Sequence, residues 1–400
     1  MTPPLSLAEA QARLLDRVRP LGTECVAVSE ASGRYLSEDL VAKRTQPAGD
    51  LSAMDGYAMR VDDLAGPWQV VGESAAGHPY AGQLAPGEAV RISTGALMPG
   101  DAGAVLLQEN GERAGDRLRL SDEGEPSARH IRRAGFDFRA GDALLPAGTR
   151  VGPAQMALAL AGGHAEIAVR ALPSVAVIDS GDELAEDPAA CALHQIPASN
   201  GAMLSSMVAP LAGGVRRIGP VADTVDAIRA ALEESAGADV IVTSGGASVG
   251  DHDLIRPALE QWGATIDFWR VAIRPGKPLL VARRGGTIVL GLPGNPVSSF
   301  VTAFLFVLPL LRKLAGATAC LPSPLSAELT TDLPAGGARL EFIRAQLNGG
   351  CVVPIGEQDS SALRALAAAN ALIERPIEAP AAGAGSRVPV HWLGNGGGSA

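Results

Sequence analysis

An alternation of apolar strands and amphipathic helices, which begins at Pro173, constrains the fold more than any other feature of the chain. Strands are predicted at three places, namely Val175–Ile178, Val240–Thr243 and Thr287–Leu290. A helix with one apolar face is predicted over Thr224–Ser235, and either Asp223 or Thr224 can serve as its N-cap. This alternation predicts a parallel-type sheet flanked by helices, with ligands at the carboxyl ends of the strands.

The regions on either side of this α/β segment are rich in short strands. From about Pro47 to Ile131, short apolar stretches alternate with Gly and Pro turns, as at Trp68–Val71, Ala89–Ile92 and Ala104–Leu107. After a Pro/Ser-rich stretch that begins at Cys320, a last β-rich module extends to about Leu393. Near the N-terminus, Ser6 and Glu9 have the spacing of a helix capping box.

Charge and cysteine content exclude several classes of protein. The 33 basic and 43 acidic residues give a net charge of −10 without any basic block, so nucleic acid and anionic membranes are not expected partners. The 4 cysteines form no C-x-x-C pair, which disfavours a zinc site or a disulfide framework. No signal peptide is visible, and the apolar run Val297–Leu311 is expected to be too short to span a bilayer. A soluble, cytoplasmic protein is predicted.

The segment from Thr243 to Asp253 lies between a predicted strand and a predicted helix. It is rich in glycines, hydroxyls and carboxylates, namely Ser244, Gly245, Gly246, Ser248, Gly250, Asp251 and Asp253. Backbone N–H groups of such a loop and the following helix N-terminus can bind a phosphate, and its carboxylates can cap the helix or hold a cation. A tight turn with an Asp cap is the alternative. We favour the phosphate site, because the loop contains more polar groups than a turn requires.

A second loop and a basic segment add candidate ligand contacts. The loop Gly291–Ser298 precedes an apolar helix, with Asn295 at the predicted N-cap and Pro296 in the first turn. Between the two loops lie the three cations of the basic segment, Arg270, Arg274 and Lys277. Solvated surface charge is the alternative, but three cations within eight residues of an acidic chain favour an oxyanion pocket.

Carboxylates recur in turn-like sequences at Asp55, Asp137 and Asp182-Glu183. Each can be an ordinary turn or cap residue, and taken singly this interpretation is preferred. Carboxylates from different segments can also converge on one Mg²⁺, which binds few carboxylates together with substrate phosphate. No Ser-His-Asp, GxSxG or GxxxxGK[ST] pattern is found.

Taken in order, the motifs resemble one family, the MoeA-type molybdopterin molybdenumtransferases, which are similar to the E domain of gephyrin. The matching motifs are Ser52–Ala58, Arg91–Ala96, Arg133–Asp137, Ser180–Leu184, Ser199–Asn200, Ser244–Gly250, Pro275–Pro278 and Gly291–Ser298. They extend over nearly the whole chain. The combination of SAMDGYA, SGGxSVG and GLPGNPVS is highly specific.

The resemblance implies an α/β multidomain fold and an elongated homodimer. Its expected parts are a linker and dimerisation domain at residues 1–46 and 138–172, a β-rich insert domain at 47–137, a molybdopterin-binding α/β domain at 173–318, a C-terminal β-barrel-like domain at 319–393 and a flexible tail at 394–400. A molybdopterin adenylyltransferase and molybdoenzyme delivery proteins are further expected partners.

The resemblance also implies insertion of molybdate into adenylylated molybdopterin, with Mg²⁺ aiding release of AMP. The catalytic residues would be Asp55, Asp137, Glu183 and Asp253. The metal would be held by Glu183, Asp251 and Asp253. The substrate would contact the three cations named above and the following residues: Thr94, Asp223, Ser244, Gly245, Gly246, Ser248, Gly250, Pro293, Gly294, Asn295, Pro296, Ser298 and Ser360.

This chain departs from the family pattern at a few positions. Leu51 stands where Asn is usual, Asp179 where Ser or Thr is usual, and Arg270 and Arg274 where lysines are usual. Asp179 adds a negative charge near the expected anion site. The alternative function is a non-catalytic molybdopterin-nucleotide binding or scaffold protein, and the choice between molybdate and tungstate stays open. The retained carboxylates at Asp55, Glu183 and Asp253 favour the enzyme.

Overall fold

The first part of the chain contains the predicted N-terminal helix and a series of short strands. The computed structural model describes residues 4–122, 124–245 and 254–394, without the side chains of Phe268 and Trp269. The predicted tail therefore lies outside the described residues after Gly394. The first elements are α1 (Leu7–Leu15), β1 (Thr23–Ala27), β2 (Leu40–Val41), β3 (Leu51–Ser52), β4 (Gly56–Arg60), β5 (Trp68–Ser74), β6 (Glu88–Ile92), β7 (Ala102–Leu107), β8 (Gly111–Ala114), β9 (Arg117–Leu120), β10 (Ile131–Arg132), β11 (Ala143–Leu145), α2 (Pro153–Ala161) and β12 (Glu166–Arg170).

Two segments that are far apart in the sequence pair with each other around the β-rich insert. Strand β1 pairs with β12 and β2 pairs with β11, both antiparallel. Between them, the insert forms a six-stranded sheet in the order β7-β4-β6-β5-β9-β8. The predicted capping box of α1 is confirmed, because the Ser6 hydroxyl accepts from the Glu9 N–H at 3.2 Å and the Glu9 carboxylate accepts from the Ser6 N–H at 3.0 Å.

The middle of the chain forms the α/β domain, and its three predicted strands are confirmed. Its elements are β13 (Ser174–Ser180), β14 (Leu184–Ala185), β15 (Ile196–Pro197), α3 (Ser199–Val208), β16 (Gly214–Val221), α4 (Val225–Glu234), β17 (Val240–Ser244), α5 (Ile255–Gln261), β18 (Thr265–Arg270), β19 (Ile273–Arg274), β20 (Pro278–Arg284), β21 (Thr287–Leu292), α6 (Pro296–Thr302) and α7 (Leu308–Leu314). Thr224 is the N-cap of α4, with its hydroxyl accepting from the Ala227 N–H at 3.2 Å.

The main sheet of this domain is mixed, which corrects the expectation of a parallel sheet. Its order is β16-β13-β17-β21-β20-β18, and only the first four strands are parallel. Strand β20 pairs antiparallel with β21 and with β18. The physical reason is the two-residue connection Gly285-Gly286, with Gly285 at φ +58°, because such a connection makes a hairpin rather than a crossover.

The apolar run Val297–Leu311 was expected to be too short to span a membrane, and this expectation is wrong about the length of the helix. Helices α6 and α7 are joined by a π-helical turn at Ala303–Val307, so that Pro296–Leu314 forms one apolar helix of 19 residues. However, 83% of its most apolar 18-residue window is buried inside the fold. Gln11 of α1 reaches this helix and donates to the Leu305 carbonyl at 2.9 Å. The segment is a core helix.

The C-terminal part is a closed five-stranded barrel, as the β-barrel-like prediction requires. Its elements are β22 (Leu325–Leu329), β23 (Leu340–Asn348), β24 (Cys351–Pro354), α8 (Leu363–Ala368), β25 (Ala371–Arg375) and β26 (Arg387–Trp392). The strands follow the order β23-β24-β22-β26-β25, and β25 pairs with β23 to close the ring. Strand β19 of the α/β domain adds to β23 in parallel, so the barrel is attached to the α/β domain by backbone pairing.

Candidate functional site

A cavity of about 830 Å³ lies at the carboxyl ends of the central parallel strands. The chain runs from β13 to β16 on one side and then returns to β17 on the other side of β13, so the strand order reverses between β13 and β17. Open α/β sheets bind ligands at such a switch point. The cavity is lined there by Ser180 at the end of β13 and by Ser244 and Gly245 at the end of β17. The predicted location of the ligand site therefore coincides with a real cavity.

Most of the loop after β17 lies outside the described residues. Among its predicted site residues, this applies to Gly246, Ser248, Gly250, Asp251 and Asp253. Ser244 and Gly245 are described and both line the cavity. Gly245 has φ +99°, and a Cβ there would lie 2.9 Å from the Ser180 carbonyl oxygen. A glycine is required at this point, because the backbone is left-handed and approaches the neighbouring strand end.

The loop after β21 forms another wall of the cavity. Five of its predicted residues line it, namely Pro293, Gly294, Asn295, Pro296 and Ser298. Asn295 is the N-cap of α6 by position, but its side chain makes no capping hydrogen bond. Instead its Nδ2 donates to the Ser360 hydroxyl at 2.8 Å. Ser360 is thereby brought to the rim of the cavity, while its neighbour Ser361 lines it.

Asn200 joins the two loops, although it is not among the site residues predicted from the sequence. Its Nδ2 donates to the Ser244 hydroxyl at 2.8 Å and to the Gly294 carbonyl at 2.7 Å. It lies in the first turn of α3 and lines the cavity. The only signal in the sequence was the Ser199-Asn200 motif, which by itself indicates no contact. The Asn200 amide thus holds the end of β17 next to the loop that follows β21.

Asp179, the unusual carboxylate at the end of β13, is part of the cavity wall and is fully buried. Its Oδ2 accepts from the Gly201 N–H at 2.9 Å and from Arg217 Nη2 at 3.3 Å, whereas its buried Oδ1 has no partner within the described part of the chain. Burial raises the pKa of Asp179, although the Arg217 charge and the Gly201 hydrogen bond oppose this. Arg217 also donates to the Ala198 carbonyl at 2.7 Å, so this group fixes the start of α3.

Carboxylates also line the cavity. Glu183 and Asp223 both line it and are exposed. Asp223 is held next to Asp182, because its N–H donates to an Asp182 carboxylate oxygen at 3.0 Å and its own carboxylate lies 3.4 Å from the Asp182 N–H. Within the described ranges, no group of three or more His, Cys, Asp or Glu side chains could hold a metal. Glu183 and Asp223 have hard carboxylate oxygens, which are the kind of ligand that Mg²⁺ binds together with substrate oxygens.

The structure separates the three cations of the basic segment. Lys277 lines the cavity. Arg274 instead forms an ion pair with Glu341 of the barrel, with Nη1 and Oε1 3.0 Å apart. Arg270 is not part of the cavity lining, and its carbonyl accepts from the Leu5 N–H at 2.7 Å. Only Lys277 therefore has the position that the predicted oxyanion pocket requires within one chain.

The predicted residues of the β-rich insert form a separate group. Asp55 accepts from the Thr94 N–H at 2.6 Å, and this hydrogen bond lowers the pKa of the exposed Asp55 carboxyl. The turn is rigid, because the buried Ser52 hydroxyl donates to the Met54 carbonyl at 2.6 Å. Asp137 is also exposed. None of Asp55, Thr94 and Asp137 contributes to the lining of the cavity described above.

Three family descriptions match consecutive parts of the chain. They are the MoeA N-terminal region (domain I and II) over residues 5–163, the probable molybdopterin binding domain over 176–313 and the MoeA C-terminal region (domain IV) over 326–393. The second of these contains the strand ends that surround the cavity.

Curated relatives cover nearly the whole chain. Molybdopterin molybdenumtransferase of Haemophilus influenzae is 33% identical over 98% of this chain and 100% of its own length. Molybdopterin molybdenumtransferase 2 of Mycobacterium tuberculosis is 35% identical over 97% of this chain and 99% of its own. The crystal structure of the molybdopterin biosynthesis moeA protein from Pyrococcus horikoshii OT3 matches with a TM-score of 0.83 at 29% identity, covering 98% of this chain and 100% of that one.

The fold and the cavity define a multidomain protein built around an α/β ligand-binding domain, and the two curated relatives are transferases by name. The chain belongs to the MoeA family. The predicted family, its multidomain fold and its enzyme class are thereby confirmed.

Proposed function

We propose that this protein inserts molybdate into adenylylated molybdopterin and releases AMP. The observation that carries the proposal is the cavity of about 830 Å³ at the switch point of the domain that matches the molybdopterin-binding description. Its size suits a nucleotide-bearing ligand, since small-molecule sites commonly measure about 300–1,000 Å³. The ligand is anionic, and Lys277 together with the helix N-terminus at Pro296 provides positive potential on the cavity wall.

The proposed reaction consists of two bond exchanges. The two dithiolene thiols give their protons to one molybdate oxygen, which leaves as water while two Mo–S bonds form. Separately, water attacks the phosphoanhydride, one P–O bond breaks, AMP leaves, and the molybdopterin keeps its own phosphate with release of a proton. The residues of this chain would orient the two groups and stabilise the negative charge that develops on phosphate oxygens.

Mg²⁺ belongs to this proposal as a bound ion. Glu183 and Asp223 on the cavity, with Asp251 and Asp253 from the loop after β17, are the carboxylates that would hold it. The ion would neutralise charge on the phosphate oxygens of the ligand.

We further propose a homodimer in which the site is shared between subunits. Asp55, Thr94 and Asp137 do not line the cavity of their own chain, which supports a role at the cavity of a second chain. Exposed apolar residues lie close to them in the sequence, with Met54 41%, Leu97 43% and Phe136 74% exposed. Exposed apolar surface becomes buried when it forms a protein interface, and the proposed dimer would bury these residues. Light scattering should give twice the monomer mass of 40.7 kDa, and a value near 40.7 kDa would contradict the shared site.

The direct test is AMP release. The protein is mixed with adenylylated molybdopterin, molybdate and Mg²⁺, and AMP is measured with and without molybdate. The proposed enzyme releases AMP and yields a molybdenum-containing product. Binding of the nucleotide without AMP release would reject the enzyme and support the alternative, a binding or scaffold protein. Whether it acts as an enzyme or as a scaffold, we propose that the protein works in the cytoplasm. A molybdopterin adenylyltransferase and molybdoenzyme delivery proteins would be its partners there.

Asp253→Ala separates a metal role from a capping role at the loop after β17. Loss of a metal-holding carboxylate should reduce AMP release by orders of magnitude and leave the melting temperature almost unchanged. Loss of a helix cap alone should cost about 1 kcal/mol of stability and leave turnover normal in the cold. Near-normal AMP release would end the proposed metal role.

A further inference from the structure

Arg344 is a buried charged residue on a strand of the barrel, and it is 1% exposed. It lies on β23 and donates from Nη2 to the carbonyl oxygens of Glu357 at 3.0 Å and Asp359 at 2.9 Å. Arginine is almost never buried without partners, so a buried arginine that binds backbone carbonyls fixes the segment which contains them. Here that segment is the loop at residues 357–362, which we call the serine loop.

A second set of contacts attaches the same loop to the backbone of β23. The Gln358 side chain accepts from the Arg344 N–H at 3.0 Å and donates to the Arg344 carbonyl at 3.0 Å. Gln358 also donates to the Ile355 carbonyl at 2.6 Å. The serine loop is therefore held by the side chain of Arg344 on one side and by its main chain on the other.

The opposite side of the serine loop contacts the cavity. The Ser360 hydroxyl accepts from Asn295, and the Ser360 carbonyl accepts from the Val297 N–H in the first turn of α6 at 3.0 Å. Ser361 lines the cavity directly. The loop thus joins a buried arginine of the barrel to the wall of a cavity in another domain.

The start of β23 contacts the segment that leads to a second wall of the cavity. Glu341 pairs with Arg274, and the Leu340 N–H donates to the Ala272 carbonyl at 2.9 Å. These contacts fix the segment that leads to Lys277. One barrel strand therefore holds two separate parts of the cavity lining.

The geometry points to Arg344 as a positioning residue, which sets the serine loop against the cavity so that the barrel completes the ligand site. This inference rests on the proposed function for the identity of the ligand, and Arg344 itself does not line the cavity. Without the arginine, the loop would have to be ordered when the ligand binds, and this ordering would reduce affinity.

The barrel offers a matched control. Arg375 on β25 is also buried, with 5% exposure, and donates to backbone carbonyls at Pro334 (3.1 Å) and Pro380 (2.5 Å). Neither of those residues lines the cavity. Arg344→Met and Arg375→Met therefore remove the same chemical group from the same barrel, but only the first releases a loop that contacts the cavity.

The first measurement is the affinity for adenylylated molybdopterin, followed by pterin fluorescence at a temperature where all variants are folded. We expect Arg344→Met to weaken binding about tenfold or more and Arg375→Met to change it less than about twofold. Arg344→Lys should restore part of the loss, because its charge can reach one carbonyl but not two in a fork. Equal losses in both methionine variants, or no loss in Arg344→Met, would overturn the inference.

The second measurement needs no ligand. Hydrogen exchange at the Val297 amide, which donates to Ser360, should become faster in Arg344→Met and stay unchanged in Arg375→Met. If the wild type does not bind the nucleotide, the proposed function fails. The exchange result then decides by itself whether Arg344 positions the serine loop.

A second variant is available if Arg344→Met does not fold. Gln358→Leu releases the same loop from an exposed position, and unchanged Val297 exchange in that variant would overturn the inference.

Discussion

The Asp55 turn and the cavity of the α/β domain contain carboxylates in opposite surroundings. Asp55 is exposed, and the Thr94 N–H lowers its pKa. Asp179 is completely buried, and desolvation raises its pKa in spite of Arg217. The Asp55 carboxylate is therefore ionised and accessible at the surface of the turn. The Asp179 carboxylate is part of the cavity wall, and its hydrogen bonds position the start of α3. A carboxylate at a ligand site can therefore have a structural role.

The comparison also explains why two sets of site residues were predicted. The cavity has a concave shape, and its described lining residues include one lysine and the carboxylates Asp179, Glu183 and Asp223. The Asp55 turn has an ionised carboxylate and no part in that cavity. The cavity supplies the concave ligand space and the turn supplies a further exposed carboxylate, which is the reason for proposing that they meet across a dimer. The following experiments test this comparison.

Complementation between two inactive variants has the largest expected effect. Asp55→Ala and Glu183→Ala should each reduce AMP release by orders of magnitude, because each removes one region's carboxylate from both shared sites. Co-expression of the two chains should restore about a quarter of wild-type activity, since half of the dimers are mixed and each has one intact site. Each variant co-expressed with itself is the control. No recovery in verified mixed dimers would mean that the regions do not form one site.

Lys277→Ala and Arg274→Gln compare the cation on the cavity with the one that pairs with the barrel. Removing Lys277 should weaken nucleotide binding about 10- to 100-fold, the size of one charge-assisted hydrogen bond. This loss should shrink at high salt. Arg274→Gln should have a several-fold smaller effect, because its charge is already paired with Glu341. Equal effects in titrations at two salt concentrations would show that Arg274 also reaches the ligand.

Asn200→Ala tests whether the cavity walls must be held together. The loss of two hydrogen bonds should lower the free energy of unfolding by about 1–3 kcal/mol and weaken binding several-fold. Asn370→Ala is the matched control, because the Asn370 side chain makes two comparable hydrogen bonds to the backbone of Leu347 in the C-terminal domain. Its stability loss should be similar while binding stays normal. Normal binding by Asn200→Ala would show that the ends of β17 and β21 keep their arrangement without the amide.

The smallest expected effect is a difference in pH dependence. Because the pKa of Asp179 is raised in the folded state, acidification from its folded pKa towards the ordinary value of 3.8 should favour folding, and Asp179→Asn should remove this gain. Because the pKa of Asp55 is lowered, its stabilising contribution should be lost only as the pH falls below 3.8 towards its folded pKa, and Asp55→Asn should remove that loss. Melting temperatures of the three proteins across this range provide the measurement. If both substitutions changed the pH dependence of the melting temperature in the same direction, the buried site of Asp179 and the exposed, hydrogen-bonded site of Asp55 would be contradicted.

Local patterns predicted the elements but not the contacts between them. The β-α alternation located three strands of the α/β domain, and the hydroxyl of Thr224 and the capping box at Ser6 behaved as their spacing indicates. The antiparallel edge was missed although Gly285-Gly286 is a hairpin signal. The pairing of Asp179 with Arg217 could not be read from the sequence, because it joins residues 38 positions apart. The same is true of Arg274 with Glu341, which are separated by 67 positions.

The hydrogen bond from Gln11 to the Leu305 carbonyl has a consequence for the synthesis of this chain. The two residues are 294 positions apart, and at roughly 5–20 residues per second the ribosome makes Leu305 about 15–60 s after Gln11. During that time the amphipathic helix α1 has emerged without the core helix on which it packs. A nascent chain of this protein therefore exposes the apolar residues Ala10, Leu14 and Leu15 until most of it has been translated, and chaperones that bind exposed apolar helices have their opportunity in this interval.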